Sequence, residues 1–273
     1  MEDTNLTVII PTLENELSAR ALRMCISSLE ETCNSKIIVA ENGEGTSYPQ
    51  GQCKAVNRVA KDVTTEWILI SNNDMVYSKN WFKELAYWVE NMELLVASPN
   101  LVEPRRGAPP FLEHFCGGVG TIGAPADFKK QCFDDFVAGY SPLEPSSYSG
   151  KIPVEDGGNF PVLIRTDVFK EVGMYDTNYD PFSSNSDSDL FYKFLLAGIV
   201  PKRIKSSLVY HFSQVSGTFH PDNSAYLEKN HKYFEDKWGF KRASSPDCWY
   251  KPTIPYDKLK YKPSFIGKYG EPK

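Results

Sequence analysis

Residues Trp67-Ile68-Leu69-Ile70 form a short apolar run that stops abruptly at Ser71-Asn72-Asn73-Asp74. A run of this length and composition reads as a buried strand that delivers two amides and a carboxylate to the edge of a sheet. In open α/β sheets, ligands bind outside the carboxyl ends of the strands, so Asn72, Asn73 and Asp74 occupy the position where chemistry is usually done. The alternative is an ordinary strand that enters an Asn/Asp-rich turn.

The preceding chain has the periodicity of a parallel sheet. Leu6-Thr7-Val8-Ile9-Ile10 is a β-branched run closed by Pro11-Thr12, and Leu17, Ala21, Leu22, Cys25, Ile26 and Leu29 then keep helical spacing. Lys36 to Ala40 gives a second strand that ends at Glu41-Asn42-Gly43, completing a βαβ unit. Gln52 to Val63 reads as a helix leading into the Trp67 strand. Ser78 can cap a further helix, and Leu94 to Ser98 is the next strand.

From Pro99 to Asp156 the periodicity fails, and Pro, Gly and aromatic residues dominate; a stretch this long without elements of its own is expected to cover a substrate. Regular structure resumes with a strand over 157–165, a short helix from Asp167 to Val172, a helix over 186–197, a strand end at Leu208 to His211 and a helix from Ala225 to Trp238. The segment 250–273 carries six lysines against Asp257 and Glu271, with several prolines and tyrosines, and reads as an arm packed on the surface by its tyrosines.

Composition narrows the functional classes. A net charge of −5 over 273 residues gives no global attraction to nucleic acid or an anionic membrane. Cysteines at 25, 33, 53, 116, 132 and 248 form no CxxC pair, so neither a zinc knuckle nor a disulfide framework is indicated, and reduced thiols suit a cytoplasmic setting. No secretory signal pattern is present at the start. No apolar run approaches the roughly 20 residues that cross a bilayer, which leaves membrane contact peripheral.

Taken in order, Thr7 to Thr12, Ile37 to Gly43, Trp67 to Asp74, Gly157-Gly158, Phe169 to Asp176, Asp187-Ser188-Asp189-Leu190 and Val209-Tyr210-His211 resemble the family 2 glycosyltransferases of the GT-A fold. No single motif is specific; the order and spacing over residues 6–217 carry the resemblance. It implies a nucleoside diphosphate sugar donor, a glycan, lipid-linked or other hydroxyl acceptor, and dependence on Mn2+ or Mg2+. The family's Asp-X-Asp element falls on Asn72-Asn73-Asp74, with Asp74 as metal ligand and Asn72 replacing the first Asp. A cation there neutralises the departing diphosphate. His211 completes the metal shell.

The resemblance further implies that Glu41 accepts from a base imide N–H, which points to a uracil or thymine nucleotide. Pro11, Thr12, Glu14, Asn42 and Asn73 lie beside the nucleotide, and Lys54 and Arg58 are near enough in sequence to approach the diphosphate. Asp187 is the expected base for an inverting, single-displacement transfer, with Asp189 as second choice; Ser186 stands where the family has Glu. Asp156, Gly157 and Gly158 are expected at the sugar or acceptor.

The expected architecture is therefore a GT-A-like, Rossmann-type, mostly parallel sheet flanked by helices. A single domain over 1–245 would have its nucleotide half in 1–100 and its acceptor half in 101–245, with an extended arm over 246–273. Three rivals are nucleotidyl transfer, a non-catalytic glycan- or nucleotide-binding module, and modification of nucleic acid gripped by the basic tail. Nucleotidyl transfer would need a glycine-rich basic loop where Pro11-Thr12-Leu13-Glu14-Asn15-Glu16 stands.

Overall fold

The first apolar run forms a buried strand and continues through Pro11, giving β1 (Leu6–Thr12). In the computed structural model the described residues are 1–13, 16–43, 50–103, 112–114, 128–140, 153–212, 222–241 and 255–273. After β1 come α1 (Glu16–Thr32), β2 (Lys36–Glu41), α2 (Gln52–Lys61), β3 (Trp67–Ile70), β4 (Met75–Tyr77) and α3 (Trp81–Asn91). The second half holds β5 (Val96–Glu103), β6 (Leu112–His114), α4 (Lys130–Tyr140), β7 (Val154–Asp156), β8 (Val162–Arg165), α5 (Thr166–Glu171), α6 (Ser186–Leu196), β9 (Lys202–His211) and α7 (Asn223–Trp238).

These strands form one mixed sheet in the order β2-β1-β3-β8-β5-β9-β4, with β6 on β5 and β7 on β9. β1 pairs parallel with β2 and β3, and β5 pairs parallel with β6 and β9. Antiparallel β8 links the two groups, so these six strands all point one way. Only β4, β7 and β8 oppose them, which matches the expected mostly parallel sheet. Strand side chains alternate: Ile9, Ile68 and Ile70 enter a core with α2, α5, α6 and α7, whereas Val8, Ile10 and Leu69 enter a second core with α1 and α3. Burial on both faces is why these strands read as unbroken apolar runs.

Three details differ from the sequence expectation. β5 runs on to Glu103 instead of ending at Ser98, through a register shift between Pro99 and Asn100 that absorbs a proline a regular ladder would reject. Within the span expected to be irregular, Lys130–Tyr140 is a helix whose Phe133 is fully buried against Tyr210 and Phe212. Ser78 does not cap α3, which starts at Trp81 after Asn80.

The arm is anchored. The backbone N–H groups of Gly267, Tyr269 and Lys273 donate to the carbonyls of Leu196, Ala197 and Leu195, supplying partners that the end of α6 lacks internally. Leu259 and Phe265 are buried in the first core, and Tyr261 packs edge-on against Trp238. The expected boundary at 245/246 falls outside the described residues.

Helix α6 is buried along almost its whole length, and a network of charges holds its start. Lys237 of α7 donates to Asp189 and Asp176, at 2.7 Å to each. Burial alone would raise the Asp176 carboxyl, but Lys237, the Asn178 N–H and the Tyr233 hydroxyl outweigh it and hold the value down at about 2. A carboxyl lowered from its ordinary 3.8 stabilises the fold fully above that value and loses its contribution as pH falls through 2. Resistance to urea should therefore drop between pH 4 and 2, and Asp176→Asn should flatten that slope by an amount on the order of 2 kcal/mol.

Candidate active site

Because β1, β2, β3, β5 and β9 share one direction, their carboxyl ends emerge on a single edge of the sheet. Thr12, Glu41-Asn42, Asn72-Asn73-Asp74, Glu103 and His211 are the residues delivered there. Met75 stands opposite His211 in the β4–β9 ladder and Val102 opposite Tyr210 in the β5–β9 ladder, so Asp74 and Glu103 flank the imidazole from two sides. The Phe212 N–H donates to the Asp74 carbonyl at 3.0 Å and fixes that register at the backbone.

His211 Nδ1 lies 2.6 Å from Glu103 Oε1, and Nε2 lies 3.4 Å from Asp74 Oδ1. Burial opposes a charged ring, yet the two carboxylates outweigh it and push the imidazole up to about 10. Asp74 and Glu103 are both buried, and the imidazole edge between them is the more open member of the group. Sequence reasoning singled out Asp74 and His211 and missed Glu103, because Pro99 made the β5 strand look as though it ended five residues earlier.

The other nucleotide-side residues fall into two groups. Asn73 is buried, and its amide donates to Thr12 Oγ1 at 3.0 Å and Ser18 Oγ at 2.5 Å. It ties the end of β3 to β1 and α1, so its side chain is structural, and so is the Thr12 hydroxyl that accepts from it. Asn42 accepts the Gly51 N–H at 2.7 Å and shapes the loop before α2. Pro11 is buried within β1. Glu41 remains exposed at the sheet edge, with Arg58 Nη2 donating to its carbonyl at 3.2 Å. Glu14 lies outside the described residues.

The start of α2 is not open to a diphosphate. Asp180 already accepts the Cys53 and Lys54 N–H groups, each at 3.1 Å. Gly51 is needed there: it has φ of 148°, and a Cβ would lie 2.4 Å from the Asp180 carboxylate. Lys54 is exposed on the helix surface.

On the acceptor side the two aspartates of α6 separate cleanly. Asp189 is 0 % exposed and accepts from Tyr179 at 3.2 Å, Trp238 at 2.8 Å and Lys237 at 2.7 Å, with Lys193 3.4 Å away. No acceptor hydroxyl can reach it, which removes Asp189 as a base. Asp187 is partly exposed, accepts only within its own helical turn, from Ser188, and faces a cavity of about 280 Å3. Asn72, Gln52 and Asn185 supply polar groups to the same cavity, while Phe160 and Tyr175 supply stacked rings. Asn185 and Ser183 hold positive φ, and this tight turn aims the start of α6 at the cavity.

Asp156 is 72 % exposed and pairs with Lys202 at the beginning of β9, the opposite end of that strand from His211. Gly157 backs onto the Arg203 guanidinium, and a Cβ on Gly158 would sit 2.4 Å from the Phe191 ring. The pair therefore allows backbone to pack closely on side chains.

No family model matches the chain, and no curated protein matches it. Among solved structures, a 1–349 fragment of S. aureus TarS is similar at 13% identity over 86% of this chain and 72% of that one, with a TM-score of 0.48. GalNAc-T7, solved with UDP, GalNAc and Mn2+, is similar at 14% identity over 86% of this chain and 48% of that one, with a TM-score of 0.50. The chain thus spans about half of the GalNAc-T7 structure. Together with the sheet described above, the likeness to GalNAc-T7 defines a GT-A type of fold.

The two aspartates of α6 should respond differently to the same change. Asp189→Asn would leave Lys237 and Lys193 facing a neutral group in a dry site and should cost about 3–5 kcal/mol in urea unfolding. Asp187→Asn should change stability by no more than about 1 kcal/mol.

Proposed function

We propose that this protein is a metal-dependent glycosyltransferase that moves a sugar from a nucleoside diphosphate, UDP- or dTDP-linked, to an acceptor hydroxyl with inversion. The observation that carries this reading is the meeting of Asp74 and His211 at the carboxyl edge of a GT-A sheet, beside a cavity that Asp187 lines. Motif order favours family 2 within that fold.

Among the described residues no three His, Cys, Asp or Glu side chains converge as a cation cage, so the ion would rest on two protein ligands and on the substrate. Asp74 offers a carboxylate oxygen and His211 a ring nitrogen, and the imidazole favours Mn2+ over Mg2+. The two buried carboxylates of Asp74 and Glu103 would be balanced by one dication once the ring is neutral. Two protein ligands are a normal complement where substrate phosphates supply the remainder. When bound, such an ion supplies positive charge to the diphosphate as it leaves.

The remaining roles fall to side chains. Glu41, exposed at the end of β2, is placed to accept from a base imide N–H, and Arg58 braces its backbone. Asn72 brings an uncharged amide to the sugar cavity from the metal side. Phe160 and Tyr175 provide flat apolar surface for sugar C–H groups. Asp187 accepts the acceptor hydroxyl's proton as that oxygen bonds to the anomeric carbon. The carbon–diphosphate oxygen bond breaks in the same step, and the nucleoside diphosphate departs with the electron pair.

A thermal-shift screen of nucleoside diphosphate sugars with and without Mn2+ tests the donor, since a ligand that binds only the folded state raises Tm. The expected result is a shift with uridine or thymidine diphosphate sugars that needs the metal. Asp74→Ala should abolish that metal dependence, and equal nucleotide affinity with and without chelator in the unmodified protein would remove the metal role. Asp187→Asn should reduce transfer at least 1,000-fold, on the order of what general-base catalysis supplies, with nucleotide binding intact. Full turnover in that variant would exclude Asp187 as base.

A further inference from the structure

We infer that Glu103 is a positioning residue for the metal site: it holds His211 so that Nε2, and not Nδ1, is the nitrogen presented to the cation. This rests on the proposed metal role of Asp74 and His211 and adds a residue that no motif assigns.

The argument starts from strand register. Val102 faces Tyr210 in a parallel pair, which sets the Glu103 carboxylate beside the His211 ring at the end of both strands. The resulting 2.6 Å contact between Glu103 Oε1 and Nδ1 leaves Nε2 as the ring atom turned toward Asp74. Imidazoles that ligate metals usually donate their other N–H to a carboxylate or carbonyl. That partner fixes both the tautomer and the ring plane and raises the basicity of the ligating nitrogen. A free histidine at a strand end would rotate about two side-chain bonds and populate both tautomers, a disorder each binding event would have to remove.

Burial adds to the case. Glu103 is only 4 % exposed, and a carboxylate in that setting is costly unless a partner demands it. A surface salt bridge would account for neither its depth nor its orientation. The neighbouring strand tie, from the Phe212 N–H to the Asp74 carbonyl, fixes the backbone beside His211 and does not act on its ring. Glu103 acts on the ring itself, through Nδ1. Asp74 and Glu103 thus divide the work: one carboxylate stands on the metal side of the ring and the other behind it.

The test uses the full chain with UDP and Mn2+, following free Mn2+ by electron paramagnetic resonance during titration at saturating UDP. Glu103→Ala should weaken Mn2+ binding by about 10- to 100-fold, with Glu103→Gln retaining part of the loss because its amide oxygen still accepts from Nδ1. Metal-free UDP affinity should stay within about twofold, a readout that general damage to the fold would move. Unchanged Mn2+ affinity in folded Glu103→Ala overturns the inference while leaving the metal reading intact. Absence of UDP-linked Mn2+ binding in the unmodified protein overturns both.

A measurement on the unmodified protein decides the matter if the variants do not fold. Nitrogen-15 spectra of the His211 ring, with UDP and diamagnetic Mg2+, should show Nδ1 protonated and Nε2 bare and shifted by the ion. A proton on Nε2 with the ion at Nδ1 would overturn the assignment.

Discussion

A carboxylate without access to water organises the packing of α6 against α7. Asp189 sits in the first turn of α6 and is satisfied only because Lys237 and Trp238 arrive from α7, Tyr179 from the preceding turn and Lys193 from one turn further along. An unpaired carboxylate at that depth would cost several kcal/mol, so α6 and α7 can pack together only in the register that meets it. The same network clamps the start of α6. Asp187, two residues earlier on a different face, is thereby held at the cavity without being buried itself. The C-terminal arm closes the other end of the helix by supplying N–H donors to the carbonyls of Leu195, Leu196 and Ala197.

The carboxyl edge of the sheet poses a different problem. Its strand ends bring polar groups together that must not collapse onto one another. Part of the polar inventory is therefore spent on structure: Asn73 ties β3 to β1 and α1, Asn42 shapes the loop before α2, and Asp180 fills the start of α2. The ligand roles proposed above fall instead to Asp74, His211, Asn72 and Glu41. In a row of amides and carboxylates, those that face ligand and those that brace backbone are chemically alike. Only their partners tell them apart.

Legibility followed the range of the forces involved. The strands β1 and β3 were readable because burial on both faces demands unbroken apolar runs, the edge strand β2 because Ile37-Ile38-Val39-Ala40 is itself such a run, and α6 because Leu190, Phe191, Phe194 and Leu195 recur at helical spacing. Gly198 and Gly239 marked helix ends correctly, as their positive φ values of 88° and 83° confirm. Asp74, His211 and Asp187 were also visible, each at the end of a strand or the beginning of a helix. Asp156 and Gly157-Gly158 carry no local mark of their surroundings, because an Asp-Gly-Gly sequence looks the same beside a ligand as it does beside Lys202, Arg203 and Phe191. Glu103 was hidden by Pro99, which ends most strands but here sits at a register shift that lets β5 continue.

By itself, the sequence determined the order of the principal strands and helices, the two-sided burial of the central sheet and the ends of β1, β2, β3 and β9 at its carboxyl edge. These follow from local periodicity and from residues that cannot occupy certain backbone conformations. Tertiary structure alone decided which aspartate of Asp187-Ser188-Asp189 is buried, since the two lie on different faces of α6 and only one meets Lys237. It also decided that His211 lies between Asp74 and Glu103. That arrangement comes from pairing β9 with both β4 and β5, contacts that span more than a hundred residues and leave no trace in any local pattern.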